Sequence, residues 1–215
     1  MKQQHAFTLC GEQLNGPIHI CALFHSVEEQ HEVLIPWLKE GLVNKEQVFI
    51  ISESACHDGY CTHLKQEGIQ TEEAMATNQL KIVASEDTYI NGGNFSAEKM
   101  YETLEGALKE THDGPYGKCR GLGDMEWAAK CLPGTDDLIE YEARINAFIP
   151  KYQSTIICCY DINKFSGSAI GNILAAHPYA IMNGRLHKNP YYIEPFELLQ
   201  KLIKRPKTPL TNGYV

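Results

Sequence analysis

Histidine and cysteine recur on one side of the first strongly apolar run. His19, Cys21 and His25 share parity in His19-Ile-Cys-Ala-Leu-Phe-His25, so an extended strand projects them to the same face. Imidazole and thiolate are ligands for zinc or haem iron. Residues two apart on a strand sit ~6.6 Å apart, so chelation by all three is strained. The plainer expectation is a satisfied core histidine beside a small buried cysteine. His25, at the end of the run, is best placed to exchange a proton near neutral pH. Further along, Asp124 and Glu126 lie two apart in Gly123-Asp-Met-Glu-Trp127. Such a pair serves acid–base or metal chemistry, or caps a helix. Cys158 and Cys159 face opposite ways on a strand and make no ordinary dithiol site.

Phosphate chemistry is disfavoured. A phosphate-binding loop needs glycines, whose bare backbone can wrap the anion, and a lysine to neutralise it. The corresponding turn here, Phe24-His-Ser-Val-Glu-Glu-Gln30, has neither, and it carries two acids where phosphate would approach. Gly121-Leu-Gly123-Asp124 is only a partial GxG. No nucleotide is therefore expected, and the cofactor is left open. No GxSxG nucleophile elbow and no CxxC occur either.

The elements that must position these residues alternate. Strand-like runs are His19–Phe24, Gln47–Ile51, Leu80–Ala84, Cys119–Gly123, Thr155–Tyr160 and, more weakly, Tyr179–Met182. Several are almost continuously apolar, as strands covered on both faces are, which predicts a parallel sheet. Between them lie helical patterns. Ser26-Val-Glu-Glu29 is a capping box leading to Leu34, Trp37, Leu38 and Leu42, with Pro36 expected to kink or divide the helix. Ser96 caps a helix carrying Met100, Leu104 and Leu108. Thr135 is expected to cap the next, with Asp136 and Asp137 in its first turn and a core stripe of Leu138, Tyr141, Ile145 and Phe148. Ser166 or Ser168 opens a further helix closed by His177-Pro178, and a last one lies near Pro195–Lys204. The order predicts an α/β fold: a three-layer α/β/α sandwich around a mainly parallel sheet. The expected organisation is one domain spanning 1–215, with a core of about 16–200 and a flexible, basic tail over 201–215.

Composition narrows the class. With 43% hydrophobic and 21% charged residues the chain has the balance of an ordered globular protein. A formal charge of −8 argues against direct nucleic-acid binding, which draws on Lys and Arg. No apolar run approaches the ~20 residues needed to cross a bilayer, and the N-terminal segment lacks a secretory pattern. The eight cysteines are expected to be reduced thiols in a cytoplasmic protein.

In an open parallel sheet, ligands bind beyond the strand carboxyl ends. The loops there carry His25, Tyr89, Asp124, Glu126, Trp127 and Tyr160. Aromatic walls with a few converging polar groups suit a small organic ligand, and these six are the expected binding residues. No catalytic residue is assigned.

With these residues in view, the chain resembles the MEDS family, the sensory domain named for methanogens, methylotrophs and the dichloromethane-responsive regulator. The resemblance runs from about Gly16 to Leu199. It is carried by His19–His25, Asp87-Thr-Tyr-Ile-Asn-Gly-Gly93, Gly123–Trp127, Leu138-Ile-Glu-Tyr-Glu142, Cys159-Tyr-Asp161, His177-Pro178 and Gly184-Arg-Leu-His-Lys-Asn-Pro-Tyr-Tyr192. It implies a RecA/KaiC-like core whose phosphate loop has degenerated. It also implies a role in sensing hydrocarbon-derived or one-carbon compounds in prokaryotic signal transduction. Members are often joined to DNA-binding or kinase modules. Only ~15 residues precede the first predicted strand, fewer than a helix-turn-helix needs, so the signal is expected to pass by oligomerisation or through a separate signalling protein. The expected function is non-enzymatic sensing. The alternatives are a metal- or haem-linked redox sensor using His19, Cys21 or His25, a divergent hydrolase using Asp124 and Glu126, and a scaffold without a ligand.

Overall fold

A computed structural model describes residues 6–204, 210 and 211. The chain begins with a hairpin outside the expected elements, β1 (Ala6–Leu9) and β2 (Glu12–Asn15). Its turn places Cys10 and Gly11 at φ 52° and 78°, the double left-handed geometry whose twist matches that of the strands it joins. The sheet strands follow: β3 (His19–Phe24), β4 (Gln47–Ser52), β5 (Leu80–Ala84), β6 (Cys119–Asp124), β7 (Thr155–Asp161), β8 (Tyr179–Met182) and β9 (Arg185–Lys188). They stand in the order β5-β4-β6-β7-β3-β8-β9. All neighbours are parallel except the antiparallel β8–β9 hairpin, turned by Asn183 and Gly184 at φ 50° and 66°.

The helices are α1 (Val27–Val43), α2 (His57–Gln66), α3 (Thr71–Ala76), α4 (Ser85–Thr88), α5 (Ala97–Asp113), α6 (Leu138–Tyr152), α7 (Gly167–Ala176) and α8 (Pro195–Ile203). β3 and β6 are buried at every position, and alternate residues feed two cores. Ile20, Ala22 and Phe24 join Ile157 and Cys159 beneath α1 and α2. Cys21 and Leu23 join Ile156, Cys158 and Tyr160 beneath α5, α6 and α7. The sheet lies between two helical layers, and the fold is the expected α/β sandwich.

The caps explain where helices begin. Ser26 Oγ accepts the Glu29 amide at 3.2 Å, while Glu29 Oε2 accepts the His25 amide at 2.8 Å. Ser96 accepts from Lys99, and Ser166 from Ala169. Two expectations are corrected. Pro36 does not divide α1, which runs unbroken from Val27 to Val43 with Pro36 and Glu32 on its exposed side. Thr135 does not cap α6; its hydroxyl donates to Leu132 O at 2.8 Å, and Thr135–Asp137 form a 3₁₀ turn leading into the helix. The expected tail falls partly in α8, while 205–209 and 212–215 lie outside the described residues.

A buried ion cluster ties the N-terminal hairpin to the sheet. Arg120 on β6 is fully buried, donating to Trp37 O at 2.6 Å and to Glu40 Oε2 at 2.7 Å, and pairing with Glu46. Glu40 also accepts the Thr8 amide of β1 at 3.1 Å. Gly41 makes room, since a Cβ there would lie 2.6 Å from Arg120 Cδ.

Candidate functional site

At the strand carboxyl edge, Asp124 ends β6 and is 6% exposed. Register sets it beside Cys159 of β7, and Ser52 follows the Ile51–Gly123 pair one step away on β4. Asp124 Oδ1 accepts the Glu126 amide at 3.1 Å. Burial pushes its carboxyl up to about 7; that amide opposes the shift, and the Glu126 and Glu53 charges reinforce it. Glu126 pairs with Lys164, which also lies 3.8 Å from Asp161, and Glu53 pairs with Lys130 at 2.6 Å. The Ser52 hydroxyl is fully buried without a hydrogen-bond partner among the described residues. His25 is exposed on the same edge, where Asn163 Nδ2 donates to its carbonyl at 3.1 Å.

The aromatic residues stand differently from this group. Asp124 alternates with Leu122 onto the α1/α2 face, whereas Tyr89, Trp127 and Tyr160 belong to the core on the opposite face. Tyr89 stacks on Trp127 with centroids 4.8 Å apart, and Phe95 packs against the same indole at 4.7 Å. The Trp127 Nε1–H is buried without an acceptor among the described residues. The structure thus brings together Asp124 and Glu126, and separately Tyr89 and Trp127; His25 stands apart on its loop. Tyr160 turns inward to a third group.

That third group was only partly legible. His19, Glu142, Cys158 and His177 come from β3, α6, β7 and the residue after α7, and all four are buried. Glu142 Oε2 lies 3.2 Å from His19 Nε2, 3.3 Å from His177 Nε2 and 3.4 Å from Cys158 Sγ. His19 Nε2 is 3.4 Å from the same sulfur, and the two imidazole centroids are 4.1 Å apart. Tyr160 donates to the other carboxylate oxygen, Oε1, at 2.8 Å. Burial and the neighbouring His177 push His19 down to about 4. Burial alone would raise Glu142, but the two imidazoles of His177 and His19 beside it override that and hold the carboxyl low. Burial and the Glu142 charge raise the Cys158 thiol well above its ordinary value. Of the metal candidates read from sequence, only His19 joins this group. Cys21 donates to Tyr179 O at 3.7 Å, and His25 is on the rim. Glu142 carried a readable signal, an acid on the apolar stripe between Leu138 and Ile145.

Two cavities of ligand size open away from both places. One of about 650 Å³ is lined by α6, α7 and α8, including Ile139, Leu198 and Leu199. Another of about 550 Å³ lies between α1 and α2, with His31 and His63 in its wall. No helix among the described residues is long and apolar enough to cross a membrane.

Comparison with known proteins agrees with this architecture. A KaiC-like protein from the hyperthermophilic archaeon Pyrococcus horikoshii OT3 superposes with a TM-score of 0.54 at 9% identity, covering 78% of this chain and 71% of the other. The likeness is one of fold: the parallel sheet is that of a KaiC-like, RecA-type core. The transcriptional repressor DcmR of Methylorubrum extorquens (strain DSM 6343 / CIP 106787 / DM4) is 26% identical over 160 residues, which is 74% of this chain. The match spans 57% of the repressor's length. The profile described as "MEthanogen/methylotroph, DcmR Sensory domain" matches residues 18–178, from the residue before β3 to the one before β8, so it takes in both the rim and the buried cluster. The chain belongs to the MEDS family of sensory domains.

Proposed function

We propose that this chain is a non-enzymatic sensory module of a prokaryotic regulator, and that it takes a small organic ligand, hydrocarbon-derived or one-carbon, at the strand carboxyl edge. The observation that carries this reading is Asp124, buried at the end of β6, with the Ser52 hydroxyl, unpartnered among the described residues, one step away. A carboxyl raised to about 7 can donate a hydrogen bond to a neutral ligand or ionise against a cationic one. Asp124 and Glu126 are the polar contacts, with His25 at the entrance. Trp127, Tyr89 and Tyr160 support the site from the opposite core. The Glu29 carboxylate already occupies the His25 amide, the kind of donor a phosphate would need, so the edge favours neutral or cationic molecules over nucleotides.

The named relative is a transcriptional repressor, which supports a regulatory output for this chain as well. The same reading includes a cytoplasmic setting and transmission by self-association or through a separate signalling protein, without direct nucleic-acid or membrane contact. The test is a thermal-shift panel of small alcohols, amines, halocarbons and nucleotides on the full chain. A stabilising response to a neutral or cationic compound, lost in Asp124→Asn, is expected. A response confined to ATP with magnesium would overturn the reading. Turnover in an ester or phosphoester screen, abolished by the same substitution, would make the chain a divergent hydrolase instead.

A further inference from the structure

We infer that His19, Glu142, Cys158 and His177 form a buried, tetrahedral, zinc-type divalent metal site. All four ligand atoms lie within 4.8 Å of one another. Around a zinc ion, with metal–nitrogen and metal–oxygen bonds of about 2.0–2.2 Å and a metal–sulfur bond of about 2.3 Å, the edges of the ligand tetrahedron measure about 3.3–3.6 Å. The contacts joining these atoms are 3.2, 3.3, 3.4 and 3.4 Å. Four of the six edges therefore already stand close to the separations a shared ion requires, and the other two are no longer than 4.8 Å.

The hydrogen bonds around the group select the same arrangement. His177 Nδ1 meets Ile173 O at 2.7 Å. A carbonyl oxygen only accepts, so Nδ1 carries a proton, and in the neutral imidazole it is the Nε2 lone pair that faces Glu142 Oε2. At 3.3 Å that nitrogen makes no hydrogen bond among the described residues. A lone pair aimed at a carboxylate oxygen is repulsive unless a proton or a metal cation lies between them, and a metal ion satisfies His19 and Cys158 at the same time. The Ile173 carbonyl thus acts as the outer partner that fixes the tautomer of a metal-bound histidine, and Tyr160 does the same for the carboxylate by holding Oε1 and leaving Oε2 to the ion.

Charge and softness complete the case. A divalent ion bound by one carboxylate, one thiolate and two neutral imidazoles has no net charge, which is what a site with all four ligands buried demands. Two nitrogens, one sulfur and one oxygen in a closed tetrahedron suit zinc better than magnesium or calcium, which take oxygen ligands in larger sets. On binding, the Cys158 S–H bond breaks, the metal–sulfur bond forms, and the proton leaves to solvent. Four protein ligands leave no open position for a substrate, so the ion would brace β3, β7, α6 and the end of α7 rather than perform a reaction.

This site does not depend on the rim reading, and its test is separate. Full-length protein is unfolded with chelator and refolded with zinc or cobalt(II). The expected result is one metal per chain, the visible bands of tetrahedral cobalt, and a near-ultraviolet thiolate-to-cobalt charge-transfer band. Cys158→Ser abolishes that band, whereas Cys21→Ser, on the same sheet face but outside the set, leaves it intact. Tyr160→Phe weakens the metal about 10–100-fold without changing the spectrum, and Asp124→Asn changes neither. Should Cys158→Ser fail to fold, the wild type and Cys21→Ser still decide the matter, because both should melt higher with zinc and lower after chelation. Wild type that refolds with well under one metal per chain, or that binds cobalt with no thiolate band, overturns the inference.

Discussion

The Tyr89 hydroxyl occupies the space where a side chain on Gly123 would begin: a Cβ built on Gly123 lies 2.6 Å from that oxygen. The absent side chain on β6 is what lets the Tyr89 ring lie flat against Trp127, with an interplanar angle of 19°. Gly123→Ala forces the ring out of its stack. The expected loss is about 1–3 kcal/mol, as for other overpacked cores. Denaturant unfolding measures the loss, and a change in near-ultraviolet circular dichroism from Trp127 and Tyr89 locates it. An unchanged aromatic spectrum would mean that the stack is not held by this contact.

Stability should fall as the solution passes from acid to neutral because of Asp124. Its carboxyl is raised from an ordinary 3.8 to about 7 in the folded chain, so the folded state binds the proton more tightly than the unfolded one. Its contribution is therefore fully present below about pH 4 and is lost progressively up to about pH 7, an effect on the order of 2–4 kcal/mol. Asp124→Asn removes this dependence. The variant is expected to be more stable than wild type at pH 8, with the advantage gone at pH 4. Parallel stability profiles for the two proteins would contradict the assignment.

Tyr160→Phe removes the donor that meets Glu142 Oε1 at 2.8 Å and replaces it with nothing polar. A hydrogen bond to a buried charged group contributes about 1.5–3 kcal/mol. The midpoint of guanidinium unfolding should drop accordingly with the slope unchanged, since the surface exposed on unfolding is the same. A midpoint equal to wild type would show that another donor takes over.

Arg120 is compensated by Glu40 and Glu46, and removing it takes the guanidinium from both carboxylates and leaves a buried hole. Arg120→Met should cost about 3–5 kcal/mol. Gly41→Ala presses a methyl group against the Arg120 stem and should produce a smaller loss in the same direction. Hydrogen exchange at the Thr8 amide provides the local reading, because its acceptor, Glu40, is the carboxylate that Arg120 fixes. Protection at Thr8 equal to wild type in Arg120→Met would separate the hairpin from this cluster.

Much of the layer architecture was readable because strands covered on both faces are largely apolar, as β3, β4 and β7 are; β6 has fewer apolar residues, with Arg120 and Asp124 buried in it. Helix starts at Ser26, Ser96 and Ser166 were readable because a hydroxyl three residues ahead of an orphan amide is a local device. Thr135 also carries a hydroxyl, but nearby Leu132 offered it an acceptor, and the local rule lost to it. The β8–β9 hairpin left a strong mark in Asn183-Gly184 that the apolar pattern alone does not register, since β9 is mostly exposed. For the site, strand parity placed His19 and Cys21 on one face correctly, but parity within one strand says nothing about what other elements bring to it. Glu142 and His177 reach His19 from 123 and 158 positions away in sequence, as the numbering shows. The division of the rim is likewise a matter of parity: Asp124 and the ring of Tyr160 belong to opposite faces of adjacent strands, which listing the residues after each strand conceals.

The order of strands also bears on how the chain is made. β3 is made before every other strand of its sheet, yet both of its neighbours, β7 and β8, are encoded after residue 154. A nascent chain halted before Thr155 can align β4, β5 and β6 with one another but offers β3 nothing to pair with. One of the two most thoroughly buried strands of the sheet therefore waits, with its apolar faces uncovered, until Thr155 and the residues after it have been made.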